Sequence, residues 1–100
     1  MKMYILIKED VPDNFAVVIS AHSSLSCYLK YKDLPEMQEW VSGVFHKVVC
    51  KVSESEFNKA KEEINHVVLT ESALDSREIA IVFSPREEWP KGFKYFSLWK

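Results

Sequence analysis

The sequence has few of the residues that interrupt regular structure. Its 100 residues include only two glycines and four prolines, so long loops with special backbone geometry are not expected. It also lacks the low hydrophobicity and high net charge of disordered chains, because 47% of its residues are hydrophobic and 13% are aromatic. A chain of this length and composition is expected to fold as a single domain, residues 1–100, around a real core.

An excess of positive charge and a long apolar run are also missing. The net charge is −2, which argues against a dedicated nucleic-acid binder, since such a protein needs many cations to neutralise phosphates. The apolar runs reach about five residues, against the roughly 20 that a membrane helix needs, so no membrane association is predicted. The first apolar run turns charged at Lys8, unlike a secretory signal. A cytoplasmic location is therefore expected.

Cysteine is scarce and follows no metal-binding pattern. Cys27 and Cys50 belong to no C-x-x-C motif and to no His/Cys cluster, so neither a metal site nor a cofactor is predicted. In a reducing compartment two such residues are expected to be buried thiols and not a disulfide.

Short apolar runs alternate with segments of helical periodicity, which is typical of an α/β fold. The first run, around Tyr4-Ile5-Leu6-Ile7, is expected to form a central strand buried on both faces. The predicted elements are a strand at Lys2–Lys8, helices at Asn14–Tyr31 and Glu36–Val44, a strand at Lys47–Val52, a helix from Ser53 to about Asn65, and strands at His66–Thr70 and Ile79–Phe83.

The segment Asn14–Tyr31 decides the interpretation. Its apolar residues repeat at helical spacing and its serines are poor strand formers, so a helix is favoured, although Ala16–Ile19 alone also suits a strand. Asp13 or Asn14 is expected to cap this helix. A helix here would begin at the carboxyl end of the first strand, the edge at which open α/β sheets usually bind ligands.

These elements predict a single α/β domain with a mixed four-stranded sheet flanked by helices. The last two strands are expected to pair antiparallel across a short loop.

The tail from Arg86 to Lys100 is rich in aromatic residues, with a possible helical turn at Arg86–Trp89. Such a tail could fill the core, form a dimer interface or stack nucleic-acid bases.

Four motifs occur in a suggestive order. They are Lys8-Glu9-Asp10-Val11 after the first strand, His22 within the helical Val17–Ser23, the strand Lys47–Val52, and Ser84-Pro85 after the last strand. They resemble the Arg-x-Asp-Leu, Ala-Ala-Gln-x-x-His-Ala, Lys-Val-Val-x-Lys-Val and Gly-Pro motifs of the type 2 peptidyl-tRNA hydrolases. Those small α/β proteins, usually dimeric, cleave the ester between a peptide and tRNA.

The resemblance implies a site and two partners. The implied catalytic residues are His22, Glu71 and Ser76, supported by Lys8 and Asp10, which could form an ion pair. The implied partners are tRNA and a second copy of the chain in a homodimer. The lysines that could contact a tRNA acceptor stem are Lys30, Lys32, Lys47 and Lys51.

The departures from the family fall where its chemistry lies. The Gly-Lys before the helix is replaced by Asn14-Phe15, and the glutamine by Ile19. The Asp-Ala-Gly motif becomes Glu71-Ser72-Ala73, and the Pro-Gly-Thr-x-Thr loop becomes Asp75–Glu78, with Ser76 as the nearest hydroxyl. The alternative function is therefore a catalytically inactive descendant that serves as a binding or dimerisation module.

Each implied catalytic residue also has a structural interpretation. His22 suits proton transfer at neutral pH, but a helix histidine is more commonly bonded to a nearby carbonyl. Glu71 could position a water for ester attack, but loop carboxylates mostly face solvent. Ser76 lacks a nucleophile-elbow motif.

Overall fold

The computed structural model describes all 100 residues. Its helices and strands, in chain order, are β1 (Met3–Lys8), α1 (Asp13–Tyr31), α2 (Pro35–Ser42), β2 (Lys47–Val52), α3 (Glu54–Ala60), β3 (His66–Glu71), β4 (Arg77–Phe83) and β5 (Ser97–Leu98). The predicted α/β class and the helical state of the segment beginning at Asn14 are confirmed.

Strand β1 lies at the centre of the sheet, and all six of its residues are buried. The strand order is β3-β4-β1-β2-β5. Strand β1 pairs parallel with β2 and antiparallel with β4, and β4 pairs antiparallel with β3 as predicted. Strand β1 is therefore apolar on both faces, because both faces of a central strand are covered by other elements.

The two faces of the sheet have separate cores. On one face, Met3, Ile5 and Ile7 of β1 pack with buried residues of α1 and α2. On the other, Tyr4 and Leu6 pack with α3 and the C-terminal tail. Alternate side chains of a strand point to opposite faces, so one short apolar run supplies both cores.

Helix α1 begins at Asp13, one residue before its predicted start at Asn14, so neither Asp13 nor Asn14 is its cap. Pro12 is the N-cap residue and supplies no side-chain bond, while Asp13 already lies in the first turn. Its carboxylate accepts a hydrogen bond from Trp99 Nε1 at 3.0 Å and faces the positive end of the helix dipole. The capping box predicted from Ser53 and Glu56 is confirmed, with bonds of 3.1 and 2.8 Å between them.

The prediction of four strands is wrong, because the tail adds a fifth. Residues Ser97–Leu98 pair antiparallel with β2, in register with Cys50 and Lys51. The Trp99 amide then donates to the Val49 carbonyl at 2.9 Å. A two-residue strand has no periodicity of its own, and it forms here because β2 offers an unpaired edge.

Several other elements differ from the predicted ones. Helix α2 ends at Ser42, two residues before its predicted end at Val44, which is 75% exposed. Helix α3 ends at Ala60, so Ile64 lies in the following turn with 72% of its surface exposed, and does not point inward. Strand β4 begins at Arg77, two residues earlier than predicted. Residues 86–89 form no helical turn; Lys2 and Arg86 instead form an antiparallel bridge. Both cysteines are buried and free, as predicted.

Candidate functional site

The predicted site residues other than His22 meet at one edge of the sheet. Strands β1, β2 and β3 run in the same direction, since β3 and β1 are both antiparallel to β4. Their carboxyl ends at Lys8, Val52 and Glu71 therefore lie at one edge, which we call the carboxyl edge. Helix α1 and strand β4 begin there.

Lys8 and Asp10 do not pair with each other. The Lys8 ammonium lies 2.7 Å from Glu54 Oε2, and its side chain is only 11% exposed. The same ammonium lies 4.5 Å from the centre of the Phe57 ring, a favourable position for a cation. Asp10 Oδ2 instead lies 3.1 Å from Arg77 Nη2. Both ion pairs join the end of β1 to neighbouring elements and so stabilise the edge.

Glu71 and Ser76 share one tight turn. The Ser76 amide donates to the Glu71 carbonyl at 3.0 Å, and the Glu71 carboxylate accepts from the Ala73 amide at 3.3 Å. Asp75 and Ser76 both have left-handed backbone conformations, with φ of 61° and 54°. Two consecutive non-glycine residues in this region store conformational strain. The Ser76 side chain is exposed.

His22 lies apart from this turn. It is nine residues into α1, about 14 Å along the helix axis from Asp13, and its side chain is exposed. It forms no hydrogen bond or ion pair with Glu71, Ser76 or Asp10. The structure therefore brings Glu71 and Ser76 together but leaves the predicted histidine elsewhere.

The first turns of α1 contribute apolar side chains to the core. Ile19 is 1% exposed and belongs to the core, and Phe15 packs against that core. Neither residue supplies a polar group beside His22.

Charge at the carboxyl edge is predominantly negative. Of the nearby cations, Lys8, Lys61 and Arg77 are each paired with a carboxylate, and Lys51 bonds the Lys100 carbonyl. The acidic side chains are Glu9, Asp10, Asp13, Glu54, Glu71, Asp75 and Glu78. Such an edge repels phosphate.

Three of the lysines considered for tRNA, Lys30, Lys47 and Lys51, do not lie at one edge of the sheet. Lys30 donates to the His66 carbonyl at 3.4 Å, beside the amino end of β3. Lys51 donates to the Lys100 carbonyl at 3.3 Å, near the carboxyl end of β2. Lys47 lies at the amino end of β2 and bonds the Phe45 carbonyl at 3.0 Å.

A different feature is the apolar outer side of α1. Between helices α1 and α2 lies an open groove of about 480 Å³. Its floor includes Leu25, Tyr28 and Trp40, and its rim includes Val41 and Phe45. Sequence reasoning treated all apolar residues of α1 as one band facing the sheet. The sequence did indicate the exposed side, because the apolar band of α1 is wider than the part of a helix surface that one sheet can bury.

No protein-family model and no curated protein matches this chain. The resemblance to the type 2 peptidyl-tRNA hydrolases therefore stays a prediction.

No three His, Cys, Asp or Glu side chains converge as metal ligands would. No helix combines the length and apolar character needed to cross a bilayer.

Proposed function

We propose that this chain is a binding module that pairs with a second copy of itself through the outer side of α1. The single observation that carries the proposal is a continuous exposed apolar surface, which we call the α1 face. Monomeric proteins seldom leave such surfaces open to water. The α1 face consists of Val17, Val18, Ala21, Leu25 and Leu29 of α1, together with Val41, Val44 and Phe45 beside it.

The five helical residues of the α1 face share one side of the helix. At about 100° per residue they fall within an arc of about 120°. That arc is opposite Ala16, Ile19 and Cys27, which are buried against the sheet. Val17 and Leu25 are 73% and 59% exposed. Helix α1 therefore has two apolar sides, of which the domain covers only one.

Charge is absent from the middle of α1 and opposite at its ends. No residue between Asp13 and Lys30 is acidic, lysine or arginine. The α1 face carries no carboxylate, lysine or arginine, so it can pack against the same face of an antiparallel copy without burying an unpaired charge. The dipoles of the two α1 helices would also be antiparallel, which is the favourable arrangement. A two-fold interface needs such self-complementarity, which is why we assign a second copy as the partner.

The rim of the groove carries backbone strain. Phe45 has φ of 38°, a conformation that bulky residues rarely adopt. Its ring is 48% exposed and lies edge-on to Trp40 at 5.9 Å. Strain that presents an apolar ring to solvent is common at binding surfaces. It is consistent with Phe45 packing against the partner.

The test is the oligomeric state, measured by sedimentation equilibrium. Leu25 lies at the centre of the α1 face, and burying its exposed part contributes about 1–2 kcal/mol per copy. Leu25→Asp is expected to raise the dimer dissociation constant at least about 30-fold, because the symmetric interface loses two such contacts. Ile64→Asp is the matched control, since Ile64 is exposed but lies outside the α1 face. A wild-type chain that stays monomeric at about 100 μM, or equal effects of both substitutions, would refute the proposal.

The second candidate function is peptidyl-tRNA ester hydrolysis at the carboxyl edge. One observation favours it: Glu71 and Ser76 share a strained turn next to the Asp10–Arg77 ion pair. Glu71 would position a water for attack on the ester carbonyl, with Ser76 as a hydrogen-bonding group. The separation of His22 from this turn and the acidic edge favour the binding module instead.

Purified protein assayed on peptidyl-tRNA separates the two candidates. A hydrolase acting at the Glu71–Ser76 turn would release peptide, and Glu71→Gln would abolish turnover, whereas His22→Ala would leave it largely unchanged. The binding module predicts no turnover above a buffer blank at micromolar protein. Release of peptide by the wild type but not by Glu71→Gln would establish the hydrolase and contradict a purely non-catalytic role.

A further inference from the structure

Three basic residues lie side by side at the edge of the sheet opposite the carboxyl edge. Lys2 bridges Arg86 in antiparallel pairing. On its other side, Met3 is in parallel register with Lys47, which places His46 beside Lys2. The Met3 amide donates to the His46 carbonyl at 3.0 Å, which fixes this alignment. Like charges on adjacent strands destabilise a sheet, so this arrangement costs free energy in the absence of an anion.

No carboxylate lies within ion-pair distance of these residues. The three ion pairs of the structure involve Lys8, Lys61 and Arg77 and lie elsewhere. Lys2 instead lies 5.5 Å from the centre of the Tyr4 ring. Lys47 bonds a neutral carbonyl.

Arg86 is held in place by neutral acceptors. Its guanidinium donates to the carbonyls of Ser84 at 3.2 Å, Ile64 at 3.0 Å and Asn65 at 3.2 Å. Its centre lies 4.6 Å from the Trp89 ring. Burial lowers the pKa of the Arg86 guanidinium from its ordinary value, although the charge of Glu63 partly opposes this. Arg86 therefore supplies a fixed positive charge that is incompletely solvated.

These groups line one cavity of about 450 Å³, which we call the amino-edge pocket. Lys2, His46, Lys47 and Arg86 contribute to its wall, and Glu87 is its single acidic residue. This volume is within the usual range of small-molecule sites. It exceeds what one phosphate group fills, so an attached organic group also has room.

We propose that the amino-edge pocket binds a phosphorylated small molecule. Lys2 and His46 contact the phosphate group, and Arg86 contributes its fixed charge from the wall. The Lys47 ammonium points to the other face of the sheet, where it bonds the Phe45 carbonyl. A flexible lysine ammonium suits a compact, highly charged anion. The free ligand could be inorganic phosphate or a phosphomonoester, since both present the same dianion. Lys2 and His46 lie outside the α1 face, so the proposal does not depend on dimer formation.

Isothermal titration of the full chain at low salt tests the assignment. The probes are inorganic phosphate, pyrophosphate and ribose 5-phosphate, and saturable binding at one site is expected. The variant Lys2→Ala/His46→Ala removes both contacting side chains and is expected to weaken binding about tenfold or more. The control Lys59→Ala/Lys91→Ala removes at least as much positive charge from exposed lysines outside the pocket and is expected to change binding less than about twofold.

The three probes also separate the sources of the phosphate. Tighter binding of ribose 5-phosphate than of inorganic phosphate supports a phosphomonoester ligand, and equal binding supports the free anion. An NMR titration of the wild type, with shifts expected at Met3, His46 and Glu87, provides a second test that needs no variant. The proposal is overturned if no probe binds saturably, if both double variants lose affinity equally, or if only a phosphorylated RNA oligonucleotide binds.

Discussion

Replacing Phe93 with alanine tests whether the aromatic tail belongs to the core. Phe93 is 5% exposed. Its ring centre lies 5.1–5.3 Å from the rings of Tyr4, Phe83, Trp89 and Phe96. Truncating a buried phenylalanine costs about 3–5 kcal/mol, because apolar contacts are lost and a cavity remains. That is a large part of the roughly 5–15 kcal/mol by which domains of this size are stable.

Urea unfolding followed by circular dichroism measures the free-energy change directly. Phe93→Ala is expected to lower the midpoint strongly with little change in slope. Phe93→Leu retains most of the volume and is expected to cost about 1–1.5 kcal/mol, so the comparison survives if the alanine variant fails to fold. Tyr95→Ala is the control, since Tyr95 is 76% exposed, and its expected cost is below about 0.5 kcal/mol.

The order of the three free-energy costs decides whether the aromatic tail belongs to the core. If Phe93→Ala costs no more than Tyr95→Ala, the tail does not fill the core and the interpretation is wrong. A large cost for Phe93→Ala would also argue against stacking of nucleic-acid bases on this ring. A ring packed among four other aromatic rings has no free face on which a base could stack.

Two further predictions concern buried polar groups. Ser23 is fully buried on α1 and its hydroxyl has no hydrogen-bond partner, so Ser23→Ala is expected to stabilise the domain by about 0.5–1.5 kcal/mol; a loss of stability in urea unfolding would show that the hydroxyl is bonded. Burial raises the pKa of Cys27 to about 12 and, with a contribution from Glu56, that of Cys50 to about 11, from an ordinary value of 9.0. The folded state thus keeps protons that the unfolded state releases above pH 9, so stability is expected to fall as pH rises from 9 to 11, by up to about 1.4 kcal/mol per pH unit for each thiol. Cys27→Ala/Cys50→Ala should flatten that alkaline slope, and an unchanged slope would exclude the thiols as its cause.

Local chemistry made most elements predictable from the sequence. The apolar run of β1 needs cover on both faces, and the Ser53–Glu56 capping box starts α3 through bonds between residues three apart. The helical periodicity from Asn14 to Tyr31 was also decisive, since helix formation depends on neighbours within four residues. These signals act over short distances and do not require the rest of the fold.

Contacts between distant segments were not predictable in the same way. Strand β5 exists because β2 has a free edge, and Trp99 bonds Asp13 across 86 positions of sequence. Lys8 is followed in the sequence by Glu9 and Asp10, yet it pairs with Glu54, because the parallel alignment of β1 and β2 brings the start of α3 beside it.

The sequence by itself determined an α/β domain with a buried central strand, because periodicity and capping are local properties. Only the tertiary structure decided which polar and apolar groups meet. It placed Glu71 and Ser76 in one turn and His22 on the outside of α1. It also left one apolar side of α1 uncovered and aligned Lys2, His46 and Arg86 on adjacent strands. Those arrangements follow from strand register and helix rotation, which depend on packing across the whole chain.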